Sequence, residues 1–206
     1  MVPLSSGGGK KQYKPMQPDD LRPEYARLTR APRIETERLI LRAHSTDDFD
    51  DCAALWGSAE VTRFIGGSPR PPQDAWFRIL RYAGHWTLLS YGFWAIIDKT
   101  SGAFIGEGGF SDFRRGIAVL DAVPEMGWAL MPSAWGRGIA KEATSAFADW
   151  GDANFDVTET ACIISPDNHA SIRVAEHIGF LPVDQITYDG EPTTIFKRVR
   201  HASRLT

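Results

Sequence analysis

The sequence predicts an α+β domain, a mixed and mostly antiparallel sheet flanked by helices. Three observations predict it. Segments of apolar period two alternate with segments of period 3.6, two strand pairs are separated by hairpin-type turns, and one strand passes into a long helix through glycines. Residues 39–42 form the first strand. Ser45 or Thr46 then caps a helix that carries Asp47 and Asp48 in its first turn and turns Phe49, Ala53 and Trp56 inward. Pro69, Pro71 and Pro72 separate it from a second helix over about 73–83. Residues 91–97 and 103–110 alternate as a hairpin about Asp98-Lys99-Thr100-Ser101-Gly102. In the next strand Met126, Trp128 and Leu130 share one face and Glu125, Gly127 and Ala129 the other, until Pro132 ends the ladder. A helix to about Phe155 follows, then a buried strand over 160–164. A helix over 167–178 closes at Gly179, and a last hairpin pairs 185–188 with 194–198 about Asp189-Gly190.

The most informative stretch is Ala134-Trp135-Gly136-Arg137-Gly138-Ile139-Ala140-Lys141-Glu142-Ala143. Ile139, Ala143, Phe147 and Trp150 recur at helical spacing, which puts Gly136 and Gly138 at the helix N-terminus, where orphan N–H groups and the positive dipole end converge. A phosphate or pyrophosphate fits there. An isolated G-x-G is as often a plain connector, so context decides. The nucleotide-binding pattern G-x-x-x-x-G-K-[ST] is absent, because Ile139 and Ala140 follow Gly138. The dinucleotide pattern also fails, since it needs a parallel βαβ unit and antiparallel strands lead in here.

The run Trp135-Gly136-Arg137-Gly138-Ile139-Ala140 resembles the acyl-CoA pyrophosphate loop of the GNAT family of N-acetyltransferases, in its ribosomal-protein-alanine acetyltransferase-like branch. Three further segments stand in the order that family requires. Residues 34–42 resemble its opening strand, 104–110 a central strand, and Asn168-His169-Ala170-Ser171 through Glu176-His177-Ile178-Gly179-Phe180 its second CoA-contacting helix. The resemblance covers about residues 34–199.

It implies a sheet splayed in its middle: the strands over 125–130 and 160–164 run parallel but part, and the pantetheine arm of acetyl-CoA pairs with the exposed backbone. Trp128, Ala129 and Leu130 would offer main-chain groups to the arm, with an N–H near Ala129 as oxyanion donor. The N–H groups of Gly136, Arg137, Gly138, Ile139, Ala140 and Lys141 would bind the pyrophosphate, and Arg137 would add charge. Trp135 stands where the family often has Arg or Gln, and lends packing alone. Asn168 and Ser171 would touch the cofactor from the facing helix, with a cap of that helix as the alternative role for Asn168. Many relatives place a tyrosine seven residues after the asparagine as an acid for the leaving thiolate. Here that position is Ala175, and Ser171 is the substitute. A thiol with a pKa of about 8.5 needs little acid help.

A lysine-like amine titrates near about 10.4, so roughly one molecule in a thousand is neutral at pH 7, a deficit of about 4–5 kcal/mol. A carboxylate, or a water held by one, should take that proton. Glu125 and Glu107 are the carboxylates placed for it, His85 is a weaker choice, and both glutamates serve equally as a solvated sheet face. Trp76, Phe77, Trp86, Tyr91, Phe93 and Trp94 would line the acceptor pocket by analogy, or pack the core.

Bulk properties bound the rest. The 206 residues suit one acetyltransferase domain over 34–200, a flexible leader over 1–33 and a tail over 201–206. The leader holds seven Lys or Arg against three Asp or Glu, which leaves −7 for the remainder of a chain of net charge −3. Without aromatic residues among its charges beyond Tyr13 and Tyr25, the leader reads as a solvated tail, and nucleic acid is not an expected partner. Cys52 and Cys162 have no metal-type spacing, and no run is apolar enough for a membrane. A cytoplasmic protein without metal is expected, monomeric or a homodimer. Its expected partners are acetyl-CoA and an amine, a protein N-terminus or a small molecule. A non-catalytic acyl-CoA sensor is the alternative, and a basic-tailed scaffold the third.

Overall fold

The computed structural model describes residues 28–200. Thirteen elements follow one another: β1 (Ile34–Glu35), β2 (Leu39–Arg42), α1 (Phe49–Gly57), α2 (Ala59–Thr62), α3 (Pro72–Leu89), β3 (Phe93–Asp98), β4 (Phe104–Ser111), β5 (Glu125–Leu130), α4 (Ile139–Asn154), β6 (Glu159–Ile164), α5 (His169–His177), β7 (Leu181–Tyr188) and β8 (Glu191–Val199). They build one eight-stranded sheet in the order β1-β2-β3-β4-β5-β6-β8-β7, antiparallel throughout except for β5 beside β6. The expected α+β class stands.

Alternation along the strands sorts side chains between two layers. Trp94, Phe110, Met126 and Leu130 pack with Phe147 and Ile139 of α4, while Ala95, Ile97 and Ala129 pack with Cys52, Leu55 and Trp56 of α1 and Ile79 of α3. Helix α1 starts after a short 3-10 turn, where Ser45 and Asp48 form a reciprocal capping box.

Several boundaries differ from expectation: β7 and β8 begin at Leu181 and Glu191, ahead of the expected 185 and 194, and α2 was not expected. Helix α3 continues past Gly84 to Leu89 and stops at Ser90, which is left-handed at φ 59°. A mid-helix glycine costs about 1 kcal/mol, and burying a large side chain such as Trp86 offsets it. The packed domain also begins before residue 34. Ala31 is buried, Trp94 Nε1 donates to the Pro32 carbonyl at 2.8 Å, and the Thr87 hydroxyl to that of Thr29. Residues 1–27 of the expected leader, and the tail over 201–206, lie outside the described residues. No helix among the described residues is long and apolar enough to cross a membrane.

Candidate active site

The opening in the sheet lies between β5 and β6. They pair at a single position, Glu125 with Ala161, where the Ala161 N–H reaches the Pro124 carbonyl at 3.0 Å. On its other edge β5 is paired with β4 along its whole length. Main-chain groups of successive residues point to opposite edges, and Met131 N–H donates to Ile105 of the β4 side at 2.9 Å. Odd-numbered residues of β5 therefore bond to β4 and even-numbered ones face the opening. The groups presented are those of Trp128 and Leu130. The expectation that Ala129 offers its N–H there is corrected, because that N–H belongs to the ladder with Glu107.

At the C-terminal end of β5 the chain turns into α4. Main-chain hydrogen bonds of the turn run as far as Trp135 N–H to Pro132 and resume with Glu142 N–H to Gly138 at 3.2 Å. The N–H groups of Gly136, Arg137, Gly138, Ile139, Ala140 and Lys141 lie between. Gly136 and Gly138 are both left-handed, at φ 70° and 77°, a conformation that strains any residue with a Cβ. A Cβ at Gly136 would meet nothing within 4 Å. Arg137 reaches Asp98 at 3.5 Å and is half exposed. Trp135 does more than pack: its indole N–H donates to the Leu130 carbonyl at 2.9 Å, tying the turn to the end of β5.

Across the opening, Asn168 caps α5, its Oδ1 accepting from the Ser171 N–H at 3.1 Å. The capping role is thus present, and the Asn168 amide N–H groups and Ser171 hydroxyl remain for other contacts. Ala175 is fully buried beneath the same helix.

The two carboxylates sit on the α1 and α3 side of the sheet. Glu107 is 0% exposed. One of its oxygens accepts from Tyr82 OH at 2.5 Å and Trp56 Nε1 at 3.0 Å, while the other faces His44 Nε2 at 3.3 Å and Cys52 Sγ at 3.7 Å. Burial alone would raise its pKa, but the hydrogen bonds from His44 and Tyr82 outweigh that and hold it below the usual carboxylate value. The same burial, with Glu107 adjacent, pushes the Cys52 thiol and Tyr82 phenol up. Neither glutamate lines a solvated face.

Glu125, 6% exposed, stands where β5 and β6 part, gripped by Arg115 through Nε at 2.8 Å and Nη2 at 2.8 Å. Arg115 Nη1 also donates to Tyr188 OH at 2.8 Å, which brings the β7–β8 hairpin over this edge of the opening. Burial works against the Arg115 charge, and the bonds to Glu125 more than offset it, holding its pKa above the ordinary value. Arg115, Tyr82 and Tyr188 carry no sequence motif and were not expected here. Of the aromatic residues proposed for the acceptor, Phe93 lies against Gly127 of β5. Trp86, Tyr91 and Trp94 are core residues, Trp76 packs edge-on against Phe49, and Phe77 is exposed. Among the described residues His85 Nδ1 is buried without a partner, and burial, with Arg81 adjacent, lowers its pKa to about 4, so the ring is neutral at pH 7.

A family model described as the acetyltransferase (GNAT) domain matches residues 38–181. The chain belongs to the GNAT family. A Bacillus subtilis (strain 168) protein described as an uncharacterized N-acetyltransferase, YoaA, is 27% identical over 150 residues, 72% of this chain and 82% of that protein. A GNAT-family acetyltransferase structure from Bordetella pertussis, itself described as putative, is 30% identical. Its TM-score is 0.72, and the match covers 82% of this chain and 99% of that one. A spermidine N-acetyltransferase structure from Vibrio cholerae, in complex with CoA and spermine, shares the fold at 14% identity and TM-score 0.64 over 80% of this chain and 97% of that one. As a GNAT member the chain is an acetyltransferase, of the class that moves an acetyl group from acetyl-CoA to an amine.

Proposed function

We propose that this GNAT chain acetylates a primary amine by direct attack of its nitrogen on the thioester, with acetyl-CoA held in the opening between β5 and β6. The observation that carries this reading is the coincidence of an open strand edge, at Trp128 and the Leu130 N–H, with a cradle of N–H groups free of main-chain partners at the end of the same strand. The edge suits a pantetheine amide chain, and the cradle over 136–141 a pyrophosphate. Asn168 and Ser171 close the far side, and the Ser171 hydroxyl is the donor nearest to hand for the departing thiolate. Developing negative charge on the thioester oxygen takes a main-chain N–H of Trp128 or Leu130.

Glu125 is the carboxylate assigned to the amine's proton, through a water it orients. It stands at the fork of the two strands with a single partner side chain among the described residues, Arg115, whereas Glu107 is fully buried and surrounded by four donors. Arg115 fixes its orientation. The acceptor is a small amine or a protein N-terminus, and the two free buried cysteines suit a reducing cytoplasm. Thiol release from acetyl-CoA over a panel of amines, with calorimetric titration of CoA in parallel, tests the reading. Turnover with an amine supports it; binding without turnover on any amine turns the protein into a sensor, and absence of CoA binding removes the site.

A further inference from the structure

Helix α3 carries two arginines one turn apart, Arg78 and Arg81, and neither forms an ion pair among the described residues. Each lies on aromatic rings instead. The Arg78 guanidinium sits 3.5 Å from the Trp56 ring centre, and that of Arg81 sits 5.4 Å from both Tyr82 and Phe113. A guanidinium held over aromatic faces keeps its N–H donors for other partners, and those donors match a carboxylate.

The rings beneath connect these arginines to the opening in the sheet. Tyr82 stacks on Phe93 at 4.7 Å, and Phe93 rests against Gly127 in the middle of β5. Phe113 also takes the Arg115 guanidinium at 4.5 Å, and Arg115 holds Glu125. The acids nearby are already engaged: Glu125 by Arg115, Asp112 by Arg114 at 3.6 Å, and Glu107 by its four donors. Arg114 and Arg115 offset Asp112 and Glu125, so Arg78 and Arg81 stand against Glu107 alone and this side of the opening is left net positive.

We infer that the acceptor is an amine that also carries a carboxylate, an amino acid, whose carboxylate is received by Arg81 with Arg78 behind it while its nitrogen faces the thioester near Glu125. The inference rests on the acetyltransferase reading and narrows it: two unpaired guanidinium groups repel a polyamine and attract a zwitterion.

Thiol release from acetyl-CoA is to be measured for a set of L-amino acids, each matched with its carboxamide and its decarboxylated amine, together with spermidine. The acids are expected to exceed their partners lacking the carboxylate in kcat/KM by about ten- to a hundredfold, the worth of one charge-assisted contact. Arg81→Gln should raise the KM for the acid by the same factor and bring acid and amide together, while Arg81→Lys restores part of the difference. Equal use of acids and amides, or spermidine as the best substrate, overturns the inference and leaves the acetyltransferase reading standing. Binding of acetyl-CoA with no amine acetylated overturns both.

Discussion

Arg38 and Glu142 meet across the join between β2 and α4, Nε to Oε2 at 2.6 Å, and the same guanidinium donates from Nη1 to the Arg137 carbonyl at 2.8 Å. In a trans peptide the carbonyl of one residue and the N–H of the next point opposite ways. Anchoring the Arg137 carbonyl toward Arg38 therefore aims the Gly138 N–H away from it, into the concave side of the turn. Glu142 is itself fixed by Thr36 Oγ1 at 2.5 Å and by the Arg38 N–H at 2.8 Å. The cradle is held open by the sheet before any ligand arrives, which spares the binding step that ordering cost.

Glu142→Gln separates two roles for this acid. Acting only as a negative charge near a pyrophosphate, its neutralisation would tighten CoA binding. Acting as the anchor of Arg38, its loss should weaken CoA binding by about tenfold, the worth of a hydrogen bond to a charged group. Calorimetric titration decides between them, and tighter binding would remove the anchor. Burial pulls the Glu142 pKa up, while Thr36 and Arg38 bring it below the usual value. A depressed carboxylate contributes above its unfolded pKa, so the anchor is complete at neutral pH and is lost as pH falls through its lower folded value.

Gly138 offers a sharper test of the cradle. Alanine at its φ of 77° costs about 1–2 kcal/mol of backbone strain and should lower the thermal midpoint. Gly138→Glu adds a negative charge beside the N–H groups and should reduce CoA affinity well beyond the loss seen with alanine. Equal affinities for the two variants would mean that no anion sits there.

The glycine turn was legible in the sequence because positive φ and orphan N–H groups are local properties that glycine and helix periodicity write directly into the chain. Most strands and helices followed from apolar periodicity, and the parting of the strands over 125–130 and 160–164 from the family resemblance, while the order of the strands in the sheet was not read from the sequence. What holds the turn in place was not legible: Arg38 and Glu142 are about a hundred residues apart, and nothing local pairs them. Glu107 and Glu125 read equally as proton acceptors and as face residues, because a carboxylate in a strand normally points to water. Their actual partners, Tyr82, Trp56 and Arg115, come from other elements. Ala129 was misplaced by a single residue of register, which in a strand reverses the direction of every main-chain group.

Glu125→Gln keeps the size of the side chain and one of the two oxygens that accept from Arg115 while removing its capacity to take a proton. A fall in kcat of about a hundredfold or more is expected, with the CoA dissociation constant unchanged. An undiminished kcat would take Glu125 out of the mechanism. Tyr188→Phe, which loses the Arg115 contact from the hairpin, should raise the acceptor KM more than it lowers kcat.

Glu107 supplies a prediction about stability. Its carboxylate serves four donors at once, and its pKa is depressed because those from His44 and Tyr82 outweigh burial. For a depressed acid the stabilising share is complete above the unfolded value and disappears as pH drops through the folded one. Glu107→Gln retains one carbonyl oxygen for Tyr82 and Trp56 and turns an amide N–H group toward His44, whose ring can present a lone pair in its other tautomer. The cost at pH 7 should therefore be moderate, about 1–3 kcal/mol in urea unfolding. Glu107→Ala leaves the Tyr82 and Trp56 donors unsatisfied and should cost more. The decisive measurement is the pH dependence: the gap between wild type and Glu107→Gln should be constant from pH 8 to about pH 5 and then narrow as the wild-type carboxylate takes up its proton. A gap that stays the same down to about pH 3 would show that the charge on Glu107 adds nothing to the folded state and that its shape alone matters.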